Sequence, residues 1–362
     1  MKIVLTGGGT GGHAYPALSI AQELRSEFPE CELLYIGSRN SIEERLAREA
    51  GLTFYGVTSR KITKLASPDT VLTALALSKG FTEALGKLRR FRPDVVVGTG
   101  GYASAAVVMA QVLRRGKTVI VEPDVIPGRT NRWLGRYVSR ICVAFEDAVS
   151  RLPAGKAVVT GSPIRSELMS LPDKESARKS LGLEPGLFTI LVIGGSQGAR
   201  RLNEVTAEAV PGLRKLPVQV LHQAGPRNFD ESEERRKSLD WNRYHVRAYV
   251  DDMRSAYAAA DMIICRCGSS TLAEVAAVGL PAILVPYPYA HADHQRFNAE
   301  VVARHGGAVL SSDAEITGDF IAQFAEKMIG RPDELCRMSG AMRGLGKPNA
   351  ARDIARLAVS LT

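Results

Sequence analysis

No apolar run in this 362-residue chain reaches the roughly 18 residues that a membrane-spanning helix needs, so a spanning segment is excluded. Cysteine is scarce: five occur, at positions 31, 142, 265, 267 and 336, an odd number without a C-x-x-C pair. That pattern offers neither a disulfide framework nor a zinc site. The opening MKIVLTGGG carries one lysine and five strand-like residues before glycine. It is too short for a signal peptide, so the chain is expected to start and stay in the cytoplasm. Neither a recognition-helix motif nor an RNP-like aromatic strand is found, which argues against a nucleic-acid partner. Low-complexity segments are absent.

What remains is an ordinary globular composition, 45% apolar and 23% charged, with 34 glycines to be explained by turns. The length suits two domains. Net charge is +9, and its placement is uneven: residues 1–165 hold 23 Lys and Arg against 14 Asp and Glu, whereas residues 166–362 hold 24 against 24. The excess in the first half points to an anionic partner there, an anionic membrane surface rather than nucleic acid.

Short β-branched runs alternate with helical stretches, the signature of parallel βαβ units. In the first half they are 2–6, 33–36, 54–57, 94–97, 118–121 and 141–144. A polar passage at about 161–186 follows, and the pattern restarts at 188–193, 218–222, 245–249, 262–265, 282–286 and 308–310. The expected fold is α/β, two Rossmann-like domains whose parallel sheets would face each other across a substrate cleft. The expected divisions are 1–163, 164–340 and a C-terminal helix in 341–362 that packs back on the first domain.

Each half opens with a strand, a glycine-rich turn and a helix. Gly7, Gly9 and Gly12 satisfy G-x-G-x-x-G, so a dinucleotide-binding dehydrogenase competes. Against it, the second strand ends in Gly37 and Ser38 instead of an acid for the ribose; Arg39 could serve NADP. In the second half, Gly194 to Arg200 opens a helix whose free N–H groups suit phosphate, although a structural turn would look the same. The segment 265–274, CRCGSSTLAE, runs a strand into small hydroxyls at a helix start, with Glu274 one turn inside. That fits a nucleotide diphosphate with its ribose on the carboxylate. A capping box between Thr271 and Glu274 explains the same spacing. His291, Asp293 and His294 could suggest a metal, but the set lacks a strong third ligand and reads as polar-loop chemistry.

Taken in order, GGTGGH, GGY at Gly100 to Tyr102, GSPIR at Gly161 to Arg165, GGSQGA at Gly194 to Ala199, CRCGSSTLAE, GLPAILVP and DHQRFNA resemble the MurG family of two-Rossmann-domain (GT-B type) glycosyltransferases along nearly the whole chain. The resemblance implies transfer of N-acetylglucosamine (GlcNAc), with inversion, from UDP-GlcNAc to the 4-hydroxyl of undecaprenyl-pyrophosphoryl-MurNAc-pentapeptide. The place implied is the cytoplasmic face of the bacterial plasma membrane, with the protein held peripherally and no cofactor or metal. Carried over by position, Ser196, Gln197, Gly198, Gly268, Ser269 and Ser270 form the diphosphate cradle and Glu274 holds the ribose. Tyr249, Val250 and Met253 form the uracil-side wall, Arg165 serves the phosphates, and Gln295 the sugar hydroxyls. Thr10, Gly11, Gly12, His13, Tyr102 and Asp124 face the acceptor. His13 is the candidate base, with acceptor-phosphate binding or a turn cap as its other readings. Two rival activities share the donor logic: another glycolipid-forming UDP-sugar transferase, and a UDP-sugar epimerase. Contact with other cell-wall synthesis proteins stays open.

The chain also departs from that family. Val121, Pro123 and Asp124 stand where His, Gln and Asn are usual, Ala-Ser-Ala-Ala follows Tyr102 where Val-Ser-Gly-Pro is common, and Ser162 replaces Asn. These changes fall on the acceptor side. Between Arg60 and Arg92, Lys61, Lys64, Lys79, Lys87, Arg89 and Arg90 lie beside Leu65, Val71, Leu72, Leu75, Leu77, Phe81 and Leu85. Ala74, Leu77, Phe81, Ala84, Leu85 and Leu88 make one helical stripe, read as core, with Leu72 and Ala76 off it. An apolar patch ringed by lysine would hold the protein on anionic lipid; a solvated helix with basic ends is the plainer alternative.

Overall fold

The structure, a computed structural model, describes residues 1–9, 11–59 and 68–362, with the side chains of 68–75 left out of the description. Thr10, Arg60, Lys61, Lys64 and Leu65, and the side chains of Val71, Leu72, Ala74 and Leu75, therefore lie outside it. The chain divides into two compact units, Met1–Ser166 with Lys347–Thr362, and Glu167–Gly346.

The first unit contains β1 (Lys2–Thr6), α1 (Gly11–Glu27), β2 (Glu32–Ser38), α2 (Ile42–Glu49), β3 (Thr53–Val57), α3 (Pro68–Phe91) and β4 (Val95–Gly98). It continues with α4 (Tyr102–Leu113), β5 (Lys117–Glu122), α5 (Arg129–Leu134), β6 (Arg140–Val143) and β7 (Ala157–Val159). The strands form one parallel sheet in the order β3-β2-β1-β4-β5-β6-β7. Both faces of this sheet are covered, because alternate residues of each strand point opposite ways and nearly all are apolar. Ile3, Leu5, Val95 and Val97 pack on one side with Ile20 and Leu24 of α1. Val4, Val96 and Ile120 pack on the other with Ala84 and Leu88 of α3 and Val107 of α4.

The second unit runs through α6 (Lys174–Ser180), β8 (Phe188–Ile193), α7 (Arg200–Leu213), β9 (Val218–Gln223), α8 (Phe229–Leu239), β10 (Tyr244–Arg247) and α9 (Met253–Ala259). Then come β11 (Met262–Cys265), α10 (Ser269–Val278), β12 (Ala282–Leu284), α11 (His294–Arg304), β13 (Ala308–Leu310), α12 (Gly318–Gly330) and α13 (Pro332–Leu345). Its sheet is parallel too, ordered β10-β9-β8-β11-β12-β13. After α13 the chain returns to the first unit as α14 (Ala350–Val359). The buried side of α14, Ile354, Ala355 and Ala358, joins the α1 core, while Arg356 grips Glu27 with two bonds of 2.8 Å outside it. Burial of that apolar face, not the exposed ion pair, supplies most of the attachment.

All twelve strands expected from the sequence form, with ends shifted by a residue or two. β7 is a thirteenth. It is three residues long at a sheet edge and largely exposed, so it lacks the buried apolar run by which the others are recognised. In the C-terminal segment expected at 341–362, the helix read over 350–361 forms as α14, whereas residues 341–345 complete α13 in the second unit. On α3, Ala84 and Leu88 are buried and Phe81 and Leu85 are packed at the core's margin, whereas Leu77 lines a cavity.

Candidate functional site

In both units the strand order reverses beside the first strand, between β1 and β4 and between β8 and β11. Loops leaving two such strands diverge, which makes the carboxyl edge there the natural ligand position of an open parallel sheet. Both glycine-rich turns of each unit lie at that point.

In the second unit, β8 and β11 pair with Ile193 opposite Cys265, so the turns 194–199 and 266–268 leave the same sheet edge from adjacent strands. They feed α7, capped by Ala199, and α10, capped by Gly268, and neither cap residue supplies a side-chain hydrogen bond. The first-turn amides of both helices are thus left for an anion, helped by the positive helix ends. A Cβ added to Gly195 or Gly268 meets nothing within 4 Å, so the space over both turns is open. Gly198 is obligatory: it has φ 76°, and a Cβ there would lie 1.9 Å from the Ala224 carbonyl oxygen. Ser196 and Gln197 are exposed, and Ser269 and Ser270 are half-buried in the first turn of α10.

The capping box is corrected by this geometry. Because Gly268 already has extended backbone and Ser269 starts the helix, Thr271 is the third helical residue and does not cap it. Glu274 instead accepts a hydrogen bond from the Tyr257 hydroxyl of α9 at 2.9 Å. Gln295 faces inward with its oxygen, which accepts from the amides of Cys267 (3.1 Å) and Tyr287 (3.0 Å). Two N–H donors fix which end of the amide is the oxygen, so its NH₂ is the end directed elsewhere. Tyr249 is exposed, whereas Val250 and Met253 are buried.

Sequence reasoning missed the parts that hold this cradle. Gln223, buried at the end of β9, donates to the Gly195 carbonyl (3.1 Å) and accepts from the Val250 amide (2.9 Å), tying the phosphate turn to the 249–250 segment. Beside it, the Asn203 amide nitrogen donates to the Ala224 carbonyl (2.9 Å), which leaves its oxygen to accept from His222 Nε2 (3.0 Å). His222 Nδ1 must then accept from the Tyr244 hydroxyl (2.9 Å). Burial pushes the His222 pKa down to about 3, and the neutral Nε2–H tautomer completes an array that ends on the carbonyl packed against Gly198. Arg266, in the middle of the most polar motif, donates to the Val285 and Pro286 carbonyls and pairs with Asp313.

In the first unit the loops after β1 and β4 interlock. Gly8 N–H donates to the Gly100 carbonyl (3.1 Å), and a Cβ on Gly101, whose φ is 92°, would strike the Gly8 oxygen at 2.1 Å. Gly11, Gly12 and His13 form the first turn of α1. His13 Nδ1 lies 3.1 Å from the Thr99 carbonyl, while the Thr99 hydroxyl donates to the His13 carbonyl at 2.6 Å. A carbonyl can only accept, so Nδ1 carries the proton and Nε2 is the basic nitrogen. Burial lowers the His13 pKa, partly opposed by the Thr99 bond and the charges of Asp124 and Glu43. Asp124 stands on a loop wrapped around buried Glu122, which accepts from the amides of Asp124 (3.1 Å) and Gly128 (3.0 Å) and from Asn131 (2.9 Å). Burial and Asp124 raise Glu122 to about 7 despite those donors. Tyr102 begins α4 and is exposed.

The dehydrogenase reading fails on two contacts. Glu43, fully buried, accepts from the Gly9 amide (3.2 Å) and from Ser38 N (3.2 Å), putting a carboxylate where a cofactor pyrophosphate would lie. Arg39, the proposed NADP contact, is bound to the Gly56 carbonyl and Glu83, both at 3.0 Å. His294 Nδ1 faces the His291 carbonyl and Asp293 pairs with Arg296, and among the described residues no group of three His, Cys, Asp or Glu is arranged to hold a metal. Arg165, expected with the donor domain, belongs to the first unit. No helix among the described residues is long and apolar enough to cross a membrane.

Comparison with known proteins finds a match in two parts. Residues 3–143 match the glycosyltransferase family 28 N-terminal domain and residues 189–356 its C-terminal domain. The UDP-N-acetylglucosamine--N-acetylmuramyl-(pentapeptide) pyrophosphoryl-undecaprenol N-acetylglucosamine transferase of Desulforudis audaxviator is 39% identical, over 98% of this chain and 96% of its own. The protein of the same name from Halalkalibacterium halodurans is 36% identical, over 98% of both. Among solved structures, Acinetobacter baumannii MurG aligns with a TM-score of 0.77 at 29% identity, covering 99% of both chains. A UDP-GlcNAc 2-epimerase from Neisseria meningitidis reaches 0.72 over 99% of this chain and 100% of its own, but at 13% identity shares the fold alone.

Proposed function

This chain belongs to glycosyltransferase family 28, and from that premise we propose that it moves GlcNAc from UDP-GlcNAc onto a lipid-linked muramoyl-pentapeptide acceptor. The observation that carries the donor side is the pair of uncapped helix starts on adjacent strands, with Glu274 one turn inside the second. Relatives carrying the transferase name match it from end to end.

In this reading the second unit binds the donor. Ser196, Gln197, Gly198 and Gly268 to Ser270 hold the diphosphate, Glu274 the ribose, Tyr249 the uracil side, and the Gln295 NH₂ the sugar hydroxyls, with Arg165 serving the phosphates. Gln223 and the His222 array keep the phosphate turn in place before the substrate arrives. The first unit takes the acceptor through Gly11, Gly12, His13, Tyr102 and Asp124.

The acceptor 4-hydroxyl oxygen attacks the anomeric carbon of the donor as the bond to the β-phosphate oxygen breaks, which inverts that carbon. UDP leaves with the electron pair, stabilised by fixed helix-end dipoles that need no reorganisation. His13 Nε2 takes the hydroxyl proton, since Nδ1 is held protonated by Thr99. The positive excess of the first half suits a peripheral seat on the anionic cytoplasmic leaflet, where this acceptor is presented.

An epimerase on the same fold is the alternative to exclude, and product analysis separates the two. Incubation with UDP-GlcNAc and the lipid-linked acceptor should release UDP and enlarge the glycolipid. Conversion of UDP-GlcNAc to its 2-epimer without acceptor would overturn the transferase reading.

A further inference from the structure

The first glycine turn is built around a buried carboxylate to which the transfer step gives no role. Glu43, in the first turn of α2, is fully buried, and accepts Gly9 N–H on Oε2 and Ser38 N–H on Oε1, both at 3.2 Å. Its hydrogen bonds run to backbone amides, and to no lysine or arginine among the described residues. Two neutral donors satisfy such a group without cancelling its charge, so its field reaches whatever lies nearby. Two glycines make room for it. A Cβ on Gly8 would lie 2.1 Å from Glu43 Oε1, and one on Gly37 would lie 2.9 Å from Glu43 Cγ. The acid that the second strand lacks at its end is thus supplied from α2, and it serves the turn instead of a ribose.

The same turn is also held by the loop after β4. Gly8 N–H donates to the Gly100 carbonyl at 3.1 Å, and a Cβ on Gly7 would lie 2.0 Å from the Thr99 hydroxyl oxygen and 2.6 Å from the His13 carbonyl oxygen. The Gly8 and Gly9 amides are therefore consumed inside the protein, which makes this stretch a fixed support and not a phosphate cradle. We propose that Glu43 is a positioning residue of the transfer reaction: it fixes the first glycine turn against the loop that orients His13, and its carboxylate balances the charge His13 acquires on taking the acceptor proton. The inference rests on the base role proposed above for His13.

When Nε2 receives the hydroxyl proton, the ring becomes an imidazolium in a buried place, where positive charge needs an opposite charge nearby. Two carboxylates act on the ring, Asp124 from the loop after β5 and then Glu43 from α2, and the Thr99 carbonyl accepts from Nδ1. Both charges raise the His13 pKa against the burial that lowers it. Asp124 is half-buried, so salt and water screen its charge; Glu43 is fully buried and is screened much less. Glu43 alone of the two also holds the turn that leads into α1 and His13.

Full-length protein labelled in its histidines allows a test by NMR titration, the His13 signal being the one lost in His13→Ala. Glu43→Gln keeps the side chain's size, removes its charge and leaves one of the two amides facing an NH₂ group. In this variant the His13 pKa should fall below the parent's. The kcat/KM for the lipid-linked acceptor should drop by at least about 10-fold, with UDP affinity unchanged. Glu43→Asp, which keeps the charge, should hold the His13 pKa closer to the parent's than Glu43→Gln does. Gly37→Ala alters no residue of the turn but crowds Glu43 Cγ; it should act in the same direction as Glu43→Gln, and it carries the test if that variant fails to fold. An unchanged His13 titration, or an unchanged acceptor kcat/KM, would overturn the proposal. So would an equal loss of UDP affinity, the sign of general disruption. A lowered His13 pKa with an unmoved acidic limb of the pH–rate profile would overturn the base role of His13 and confirm the electrostatic link from Glu43.

Discussion

The Tyr257 hydroxyl donates to Glu274 Oε2 at 2.9 Å, joining α9 to α10 one turn behind the uncapped start of the helix. The bond fixes a carboxylate that has no capping duty. Glu274→Ala should weaken UDP binding by about 1.5–3 kcal/mol, roughly 10- to 150-fold in Kd, with a smaller effect on folding. Tyr257→Phe should weaken it less, because the carboxylate stays but is no longer oriented. Calorimetric titration with UDP and thermal melting of both variants check this. A large fall in Tm with unchanged UDP affinity would assign Glu274 a structural role.

His13→Ala should lower kcat by about 10² to 10⁴ while leaving UDP-GlcNAc affinity nearly unchanged, the range for loss of a general base. The acidic limb of the parent's pH–rate profile should lie below the ordinary histidine value of 6.5, because burial lowers the His13 pKa. The limb should vanish in the variant. Its survival would move the base role to Asp124, while a raised acceptor KM with normal kcat would leave His13 a phosphate contact.

Protonation of His222 would break the Tyr244–His222–Asn203 array. Its folded pKa, about 3, lies below the unfolded value of 6.5, so below pH 6.5 the unfolded chain binds a proton that the folded one refuses. Stability should therefore fall as pH drops from about 6.5 toward 3, by up to about 1.4 kcal/mol per pH unit from this group. Urea unfolding across that window should show the slope, and His222→Gln should flatten it. Identical slopes would place the acid sensitivity elsewhere.

Vesicles containing anionic lipid should bind the protein better than neutral ones, and the difference should shrink as salt rises past the ionic strength at which the Debye length is about 8 Å. Equal binding to both would remove the charge excess of the first half as a membrane determinant.

Much of this architecture was legible because parallel strands buried on both faces read as unbroken apolar runs, and because the glycine turns mark the strand ends. The residues that make the turns into sites were less visible. Gln223 and Asn203 look like ordinary polar residues beside apolar runs, and only the fold brings Gly195 and Ala224 within their reach. Glu43 is 34 residues from Gly9, so the first glycine loop passed for a dinucleotide motif until that carboxylate was placed on it. Glu122 did stand at a strand's carboxyl end, where ligand-side residues gather, and that signal could have found it. Tyr257 sits in the alanine-rich helix α9 and carries no local sign of its partner 17 residues on.

Transfer itself is the most direct measurement. Full-length protein, UDP-GlcNAc labelled in the sugar and a lipid-linked muramoyl-pentapeptide acceptor should yield one labelled glycolipid for each UDP released, with no transfer when the acceptor is omitted. Failure of the label to reach the lipid, with UDP-GlcNAc recovered intact or epimerised at C2, would contradict the account.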